Sequence, residues 1–380
     1  MIIEGGLVLT PQGFVRCDIG ISDGMIVDPS KADGNRRFRA SGMHVLPGII
    51  DIHGDAFERQ IMPRPGVSID HAIALMDTDR QLAANGITTA YHGITVSWEP
   101  GLRSTSSAFA IIEAIERLRP SFSVDTRIHL RHETFHLDAE RVILEWLETG
   151  RIGCLAFNDH TTGTILVRQR PDKIRKMVER SGLTHEDFMD LVERVAARKD
   201  EVMPSLGRLA AAAVSNGVPL LSHDDMSPDM RADFRALGSD IAEFPIDLET
   251  SEAAATAADH IVFGAPNVLR GGSHTGCPSA REMIERNLCT ILASDYYYPS
   301  LPHAPYLLQK LGIAPLEKAW RLVSEGPAAA LGLKDRGVIE EGRRADIVIM
   351  DPAPSSGPAV AATLVGGRIV LARDPAKLAG

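Results

Sequence analysis

Five apolar runs in this chain stop at histidine, aspartate or glutamate. The run from Leu46 ends at His53 and Asp55, the run from Ile128 at Glu133, and the run from Leu155 at His160. The run from Pro219 ends at His223, and the run from Ile291 at Asp295. Short apolar runs of this kind read as strands, and on a strand residues two apart face the same side. His53 and Asp55 can therefore aim an imidazole and a carboxylate at one point. Borderline cations such as zinc accept that pair of ligand types. A lone strand-end histidine is most often a hydrogen-bonded structural residue, whereas a set of such strand ends argues for a metal centre.

The expected ligands are His53, Asp55, Glu133, His160, His223 and Asp295. They are too many for one tetrahedral ion with an open position, so two divalent ions are expected, zinc first, with manganese or iron as alternatives. Glu133 can bridge two ions through its two oxygens. Two ions roughly 3.5–4 Å apart can share and deprotonate one water. Asp295 is read either as a ligand or as the catalytic base for that water. Asp51 either orients His53 or caps the strand end.

A second group of residues suits an anion. Gly264 to Gly276 is a Gly-rich stretch after a strand, with Gly271 and Gly272 at its centre. Small residues let backbone N–H groups approach phosphate, and Arg270 and His274 add charged donors. No Gly-Lys-Ser/Thr ends the run, so it is not a Walker loop. Arg64, between two prolines, and Arg131, two before Glu133, are further substrate-binding candidates. The plainer readings are a simple connector for the glycines and a salt bridge at a helix end for Arg270.

Those strands need a frame that gathers their ends. Eight strands alternate with helical stretches through the middle of the chain: one ending at His53, then 87–92, 126–133, 152–158, 218–223, 240–244, 260–264 and 290–295. Helices are predicted over 71–85, 108–118, 139–148 and 184–215. This alternation favours a (β/α)8 barrel of the α/β class, whose chemistry collects where the strands end. A doubly wound open sheet is the second choice. Strands are also predicted at 7–9, 15–21 and 25–27, and again at 337–339, 345–350 and 364–371, punctuated by turn residues. Two small β segments leave exposed edges unless they pair, so residues 1–45 and 336–380 are expected to form one small β-sandwich beside a barrel of residues 46–335.

The chain has 380 residues and a formal net charge of −10, which speaks against a nucleic-acid or anionic-membrane partner. The start, Met1 to Gly6, lacks the basic and apolar segments of a signal peptide, and no run is long enough to span a bilayer. Cys17, Cys154, Cys277 and Cys289 show no CxxC spacing and read as reduced, buried thiols. A cytoplasmic protein with a small-molecule substrate is expected, with a homodimer as the assembly to test.

The opening Pro47 to His53 resembles that of the amidohydrolase superfamily. Within it, several runs are similar to the phosphonate-metabolism diphosphatases: His53 to Asp55 with Pro63 to Pro65, Leu130 to Glu133, Ser222 to Asp225, Ile241 to Pro245, Gly264 to Gly276, Ser294 to Tyr297 and Asp335 to Ile339. The resemblance implies a metal-bearing barrel with a β-sandwich from both termini, the six ligands above, and a phosphorylated sugar phosphonate as substrate. It implies release of diphosphate from a ribose triphosphate ester. Asp55 and Glu133 replace the second histidine and the carboxylated lysine of many amidohydrolases, in keeping with the narrower group. His132 stands where that group has cysteine, and the aromatic run after Asp295 carries an extra tyrosine. Two other functions compete: an amidase or deaminase using the same centre, and a non-catalytic metal-stabilised subunit of a phosphonate-processing assembly. Asp295 argues against the latter, because a scaffold has no use for a base.

Overall fold

The structure, a computed structural model, describes every residue except 33, 65, 167–174, 176–177, 180, 273–277, 355–356 and 380. Its centre is an eight-stranded sheet of Ile49–Gly54, Ile87–Val96, Asp125–Glu133, Cys154–Asn158, Leu220–His223, Ile241–Glu243, His260–Gly264 and Ile291–Ala293. These barrel strands lie side by side in chain order, and each neighbouring pair is parallel. All eight coincide with predicted strands.

The first and last strands close the ring through a short seam. Gly54 bridges Asp295 in parallel. Asp55 N donates to Asp295 O and Asp295 N to His53 O, both at 2.9 Å. This closure rules out the open sheet. Asp51 clasps the same seam from within. Its carboxylate accepts from Ser294 N at 3.0 Å and Ser294 Oγ at 2.6 Å, and from His53 N at 3.4 Å. Of its two expected roles, the observed bonds go to backbone and hydroxyl groups and none to the His53 ring. Gly54 is required here, since a Cβ would fall 2.6 Å from Asp51 Oδ2.

The helices begin and stop where their sequences direct. Asp70 caps His71–Ala84 by accepting from Ala72 N and Ile73 N. The helix ends at Asn85, and Gly86 takes the left-handed turn at φ +73°. Ser104 caps Thr105–Leu118, whose Ile111, Ile112 and Ile115 are buried. Pro204 sits inside Lys199–Ser215. The helical region predicted over 184–215 consists of two helices, His185–Ala196 and Lys199–Ser215.

Strands from both ends of the chain share one nine-stranded sheet. The junction is antiparallel, with His44–Pro47 against Ile347–Asp351. Ile3, Val8, Phe38, Ile347 and Leu364 are buried together on this sheet. The predicted strand at 337–339 is absent. There Gly337 turns at φ +91°, and Ile339 packs into the terminal core without pairing. Among the described residues, no helix is long and apolar enough to cross a membrane.

Candidate metal centre

Closure of the barrel seam brings His53, Asp55 and Asp295 together. One ligand atom from each lies within 4.8 Å of the others. Asp295 has φ +53°, a left-handed conformation uncommon for a residue with a side chain. Asp224 at +58° and Phe244 at +57° share it, each directly after a barrel strand. Strain of this kind collects at functional sites. Burial first, and the Asp55 charge second, push Asp295 up to about 6.

Glu243 was not among the residues expected from sequence. It ends the short sixth strand Ile241–Glu243 and is fully buried. Its Oε1 is 2.7 Å from His53 Nδ1, and its Oε2 is 2.7 Å from His223 Nδ1. Burial alone would raise this acid, but the charges and hydrogen bonds of His53, His129 and His223 hold it well below the usual carboxylate range. One carboxylate thus fixes two imidazoles and leaves each Nε2 for other partners. The signal in the sequence was an acid closing the run Asp240 to Phe244. Nothing in that run indicated that it would face two histidines.

Arg131 lies in the same interior and is 5% exposed. Strand alternation puts it on one face with His129 and Glu133. Its Nη2 is 3.0 Å from His223 Nε2, and its Nη1 is 3.8 Å from Asp55 Oδ2. The Asn158 amide oxygen, oriented as its neighbours require, accepts from Arg131 Nε at 3.1 Å and Nη2 at 3.3 Å. A guanidinium only donates, so His223 Nε2 is an acceptor and Nδ1–H goes to Glu243. Burial, aided by the Arg131 charge, lowers the His223 pKa, in keeping with a neutral ring. Gly93 makes room: a Cβ there would sit 3.2 Å from Arg131 Cδ and 3.8 Å from His53 Nε2.

Glu133, expected as a bridge between two ions, meets the start of a helix. Its Oε1 accepts from Thr161 N at 3.1 Å and Thr161 Oγ1 at 2.7 Å. Its Oε2 accepts from His160 N at 3.2 Å and lies 3.2 Å from His160 Nδ1. It therefore holds the first N–H groups of the helix His160–Leu166, which are otherwise unpaired. His160, His223 and Asp224 form a second group with ligand atoms within 4.8 Å. Asp225, next in the chain, turns away to Ser222 and the buried Arg231.

The anion residues are less gathered. Arg64 and Arg270 are both exposed. Much of the Gly-rich run is helix, Ala265–Arg270, started by Pro266 and closed by Gly271 at φ +85°. Gly271 packs on Arg281, whose Nε donates to Val268 O at 2.8 Å and holds the helix end. Gly272 follows it, and His274 lies outside the described residues. A cavity of about 1220 Å3 opens beside the centre, lined by Trp98, Glu99, His136, Asp187 and Arg194 among others. Strand ends, not this cavity, hold the ligand groups. The two are joined by Trp98 Nε1, which donates to Thr161 Oγ1 at 2.9 Å.

The donor set fits one divalent ion at His53, Asp55 and Asp295: an imidazole with its other nitrogen fixed, and two carboxylates. The second group fits less well, because Arg131 donates to the histidine lone pair an ion would need.

Comparison with known proteins agrees with this barrel. Residues 191–371 match the family described as Amidohydrolase family. The chain is 33% identical over 317 residues to the alpha-D-ribose 1-methylphosphonate 5-triphosphate diphosphatase of Escherichia coli strain K12, covering 81% of this chain and 83% of that protein. It is 27% identical over 374 residues to an adenine deaminase of Methylobacterium sp. strain 4-46, covering 95% of this chain and 56% of the relative. Among solved structures, dihydropyrimidinase from Brevibacillus agri NCHU1002 is similar with a TM-score of 0.60 at 15% identity, covering 98% of this chain and 95% of that one.

Proposed function

The chain belongs to the amidohydrolase superfamily, and on that premise we propose that it is a metal-dependent hydrolase of phosphonate metabolism. Its substrate in this reading is alpha-D-ribose 1-methylphosphonate 5-triphosphate, or a close alkylphosphonate analogue. The products are the 5-phosphate and diphosphate. The observation that carries the reading is the meeting of His53, Asp55 and Asp295 at the barrel seam. The similarity to the E. coli diphosphatase supplies the substrate class.

His53 and Asp55 would hold a divalent ion, zinc first among the choices, with Asp295 beside it. When bound, such an ion lowers the pKa of water and neutralises phosphoryl oxygens. Water adds to the α-phosphorus, the bond to the bridging oxygen breaks, and diphosphate leaves. Asp295, half-buried and raised in pKa, takes the proton. Arg131 sits where phosphoryl charge would enter, and its planar fork matches phosphate oxygens. Arg64, Arg270 and the Gly271–Gly272 backbone would meet the outer phosphates, with His274 added in the same reading. Residues 1–45 and 336–380 are read as a small β-sandwich beside a catalytic barrel of residues 46–335, supported by the shared terminal sheet.

Amide or amidine hydrolysis at the same centre is the second reading, favoured by the 27% identity to adenine deaminase. Assaying purified metal-loaded protein on the ribose triphosphate and on adenine, with diphosphate and ammonia both measured, tests the proposal. Diphosphate release supports it. Ammonia release without diphosphate refutes it.

A further inference from the structure

Besides the pair His53 and His223 gathered on Glu243, two further groups of ligand-type side chains lie at the strand ends among the described residues, and they are not equivalent. In the first, His53 Nδ1 goes to Glu243, and Asp55 and Asp295 complete a set of acceptors. In the second, His223 uses both ring nitrogens, Nδ1 toward Glu243 and Nε2 toward Arg131. His160 and Glu133 are engaged with each other at 3.2 Å. Arg131 is held by three independent features: the Asn158 oxygen, the space left by Gly93, and the Asp55 carboxylate. A guanidinium has only donors and no acceptor, so Arg131 places a positive charge between the two groups. A second divalent ion on His223 would have to displace the Arg131 hydrogen bond and sit beside that charge.

We infer that this centre takes a single divalent ion at His53, Asp55 and Asp295, and that Arg131 supplies the second positive charge, at the position a second ion would otherwise fill. The inference rests on the metal-dependent reading above and departs from the two ions expected from the ligand count. Arg131 thereby gains a further role, since a fixed cation there meets an anionic group of the substrate without requiring a second ion to be loaded. Arginine suits the place better than lysine, because its fork reaches His223, Asn158 and Asp55 at once.

The test is metal stoichiometry, read without substrate. Wild type, Arg131→Lys, Arg131→Ala and Arg131→Met are loaded with excess zinc, desalted, and measured by elemental mass spectrometry against protein concentration. Circular dichroism and melting temperature check folding. Wild type and Arg131→Lys should hold one zinc per chain, and Arg131→Ala and Arg131→Met should approach two. A wild-type value other than one overturns the inference. So does a folded Arg131→Ala or Arg131→Met protein that stays at one. Should one neutral variant not fold, the other carries the comparison. Failure of the diphosphatase assay would defeat the functional reading while leaving the stoichiometry standing; two zinc ions in an active wild type would do the reverse.

Discussion

Replacing His132 with methionine should flatten part of the acid sensitivity of this protein. His132 is fully buried on the outer face of the third barrel strand, and neither ring nitrogen has a hydrogen-bond partner among the described residues. Phe157 packs against it with ring centroids 6.4 Å apart. Burial, with a smaller push from His136, lowers its pKa to about 3. The unfolded chain restores a value of about 6.5. Above pH 6.5 the ring is neutral in both states and titration contributes nothing. Below it the unfolded chain binds a proton that the folded protein refuses, so stability falls with pH until the folded pKa is reached. At pH 5 the gap from 6.5 is worth about 2 kcal/mol at 1.36 kcal/mol per unit. For 380 residues the unfolding entropy is about 0.8 kcal/mol/K, so this equals about 2.5 °C. Methionine is close in volume and does not titrate. The melting temperature should therefore drop about 2–3 °C less in His132→Met than in wild type between pH 7.5 and 5. Scanning calorimetry with chelator in both arms keeps metal release out of the comparison. The difference at a single pH mixes ring desolvation with repacking, so the change with pH is the readout. Equal falls in the two proteins would mean that His132 is not held neutral, and the reasoning would fail.

Asp295→Asn should keep the fold while losing about 10²–10⁴-fold in turnover at saturating metal; near-normal kcat for diphosphate release would make Asp295 purely structural. Glu243→Gln forces one of its two histidine partners into the wrong tautomer, because an amide offers one acceptor and one donor face. Metal affinity by calorimetric titration should fall about 10–100-fold, and an unchanged affinity would remove Glu243 from the centre. Asp51→Ala leaves the buried Ser294 N–H and hydroxyl without their acceptor and should cost about 1–3 kcal/mol. A melting temperature equal to wild type would show that the seam does not depend on this clasp.

The barrel was readable because each strand is bounded by its own residues. Apolar runs such as Ile128 to Leu130 and Leu220 to Leu221 stop at polar ends, and Asp70 and Gly86 bracket a helix by local hydrogen bonding and φ alone. The strand-end positions of His53, Asp55, His223 and Asp295 followed from the same local pattern; the fold brings His53, Asp55 and Asp295 together, and gathers His53 and His223 on Glu243. The Gly264 to Gly276 run misled, because Pro266 and the following residues start a helix within it.

Alternation states which face of its own strand a side chain takes. It says nothing about which strand stands opposite or at what height. That is why Glu243 went unnoticed, and why Arg131 was read as a substrate contact alone. Its position between His223 and Asp55 depends on three different strands, the first, third and fifth, ending at matching levels around a closed ring. The seam pairing of Gly54 with Asp295 joins residues 241 positions apart (295 − 54), and no local property of either segment encodes it. Sequence alone put His53, Asp55, His223 and Asp295 at or just past strand ends. Closure of the ring decided which of them touch, because that depends on strand stagger and on the space left by Gly54 and Gly93.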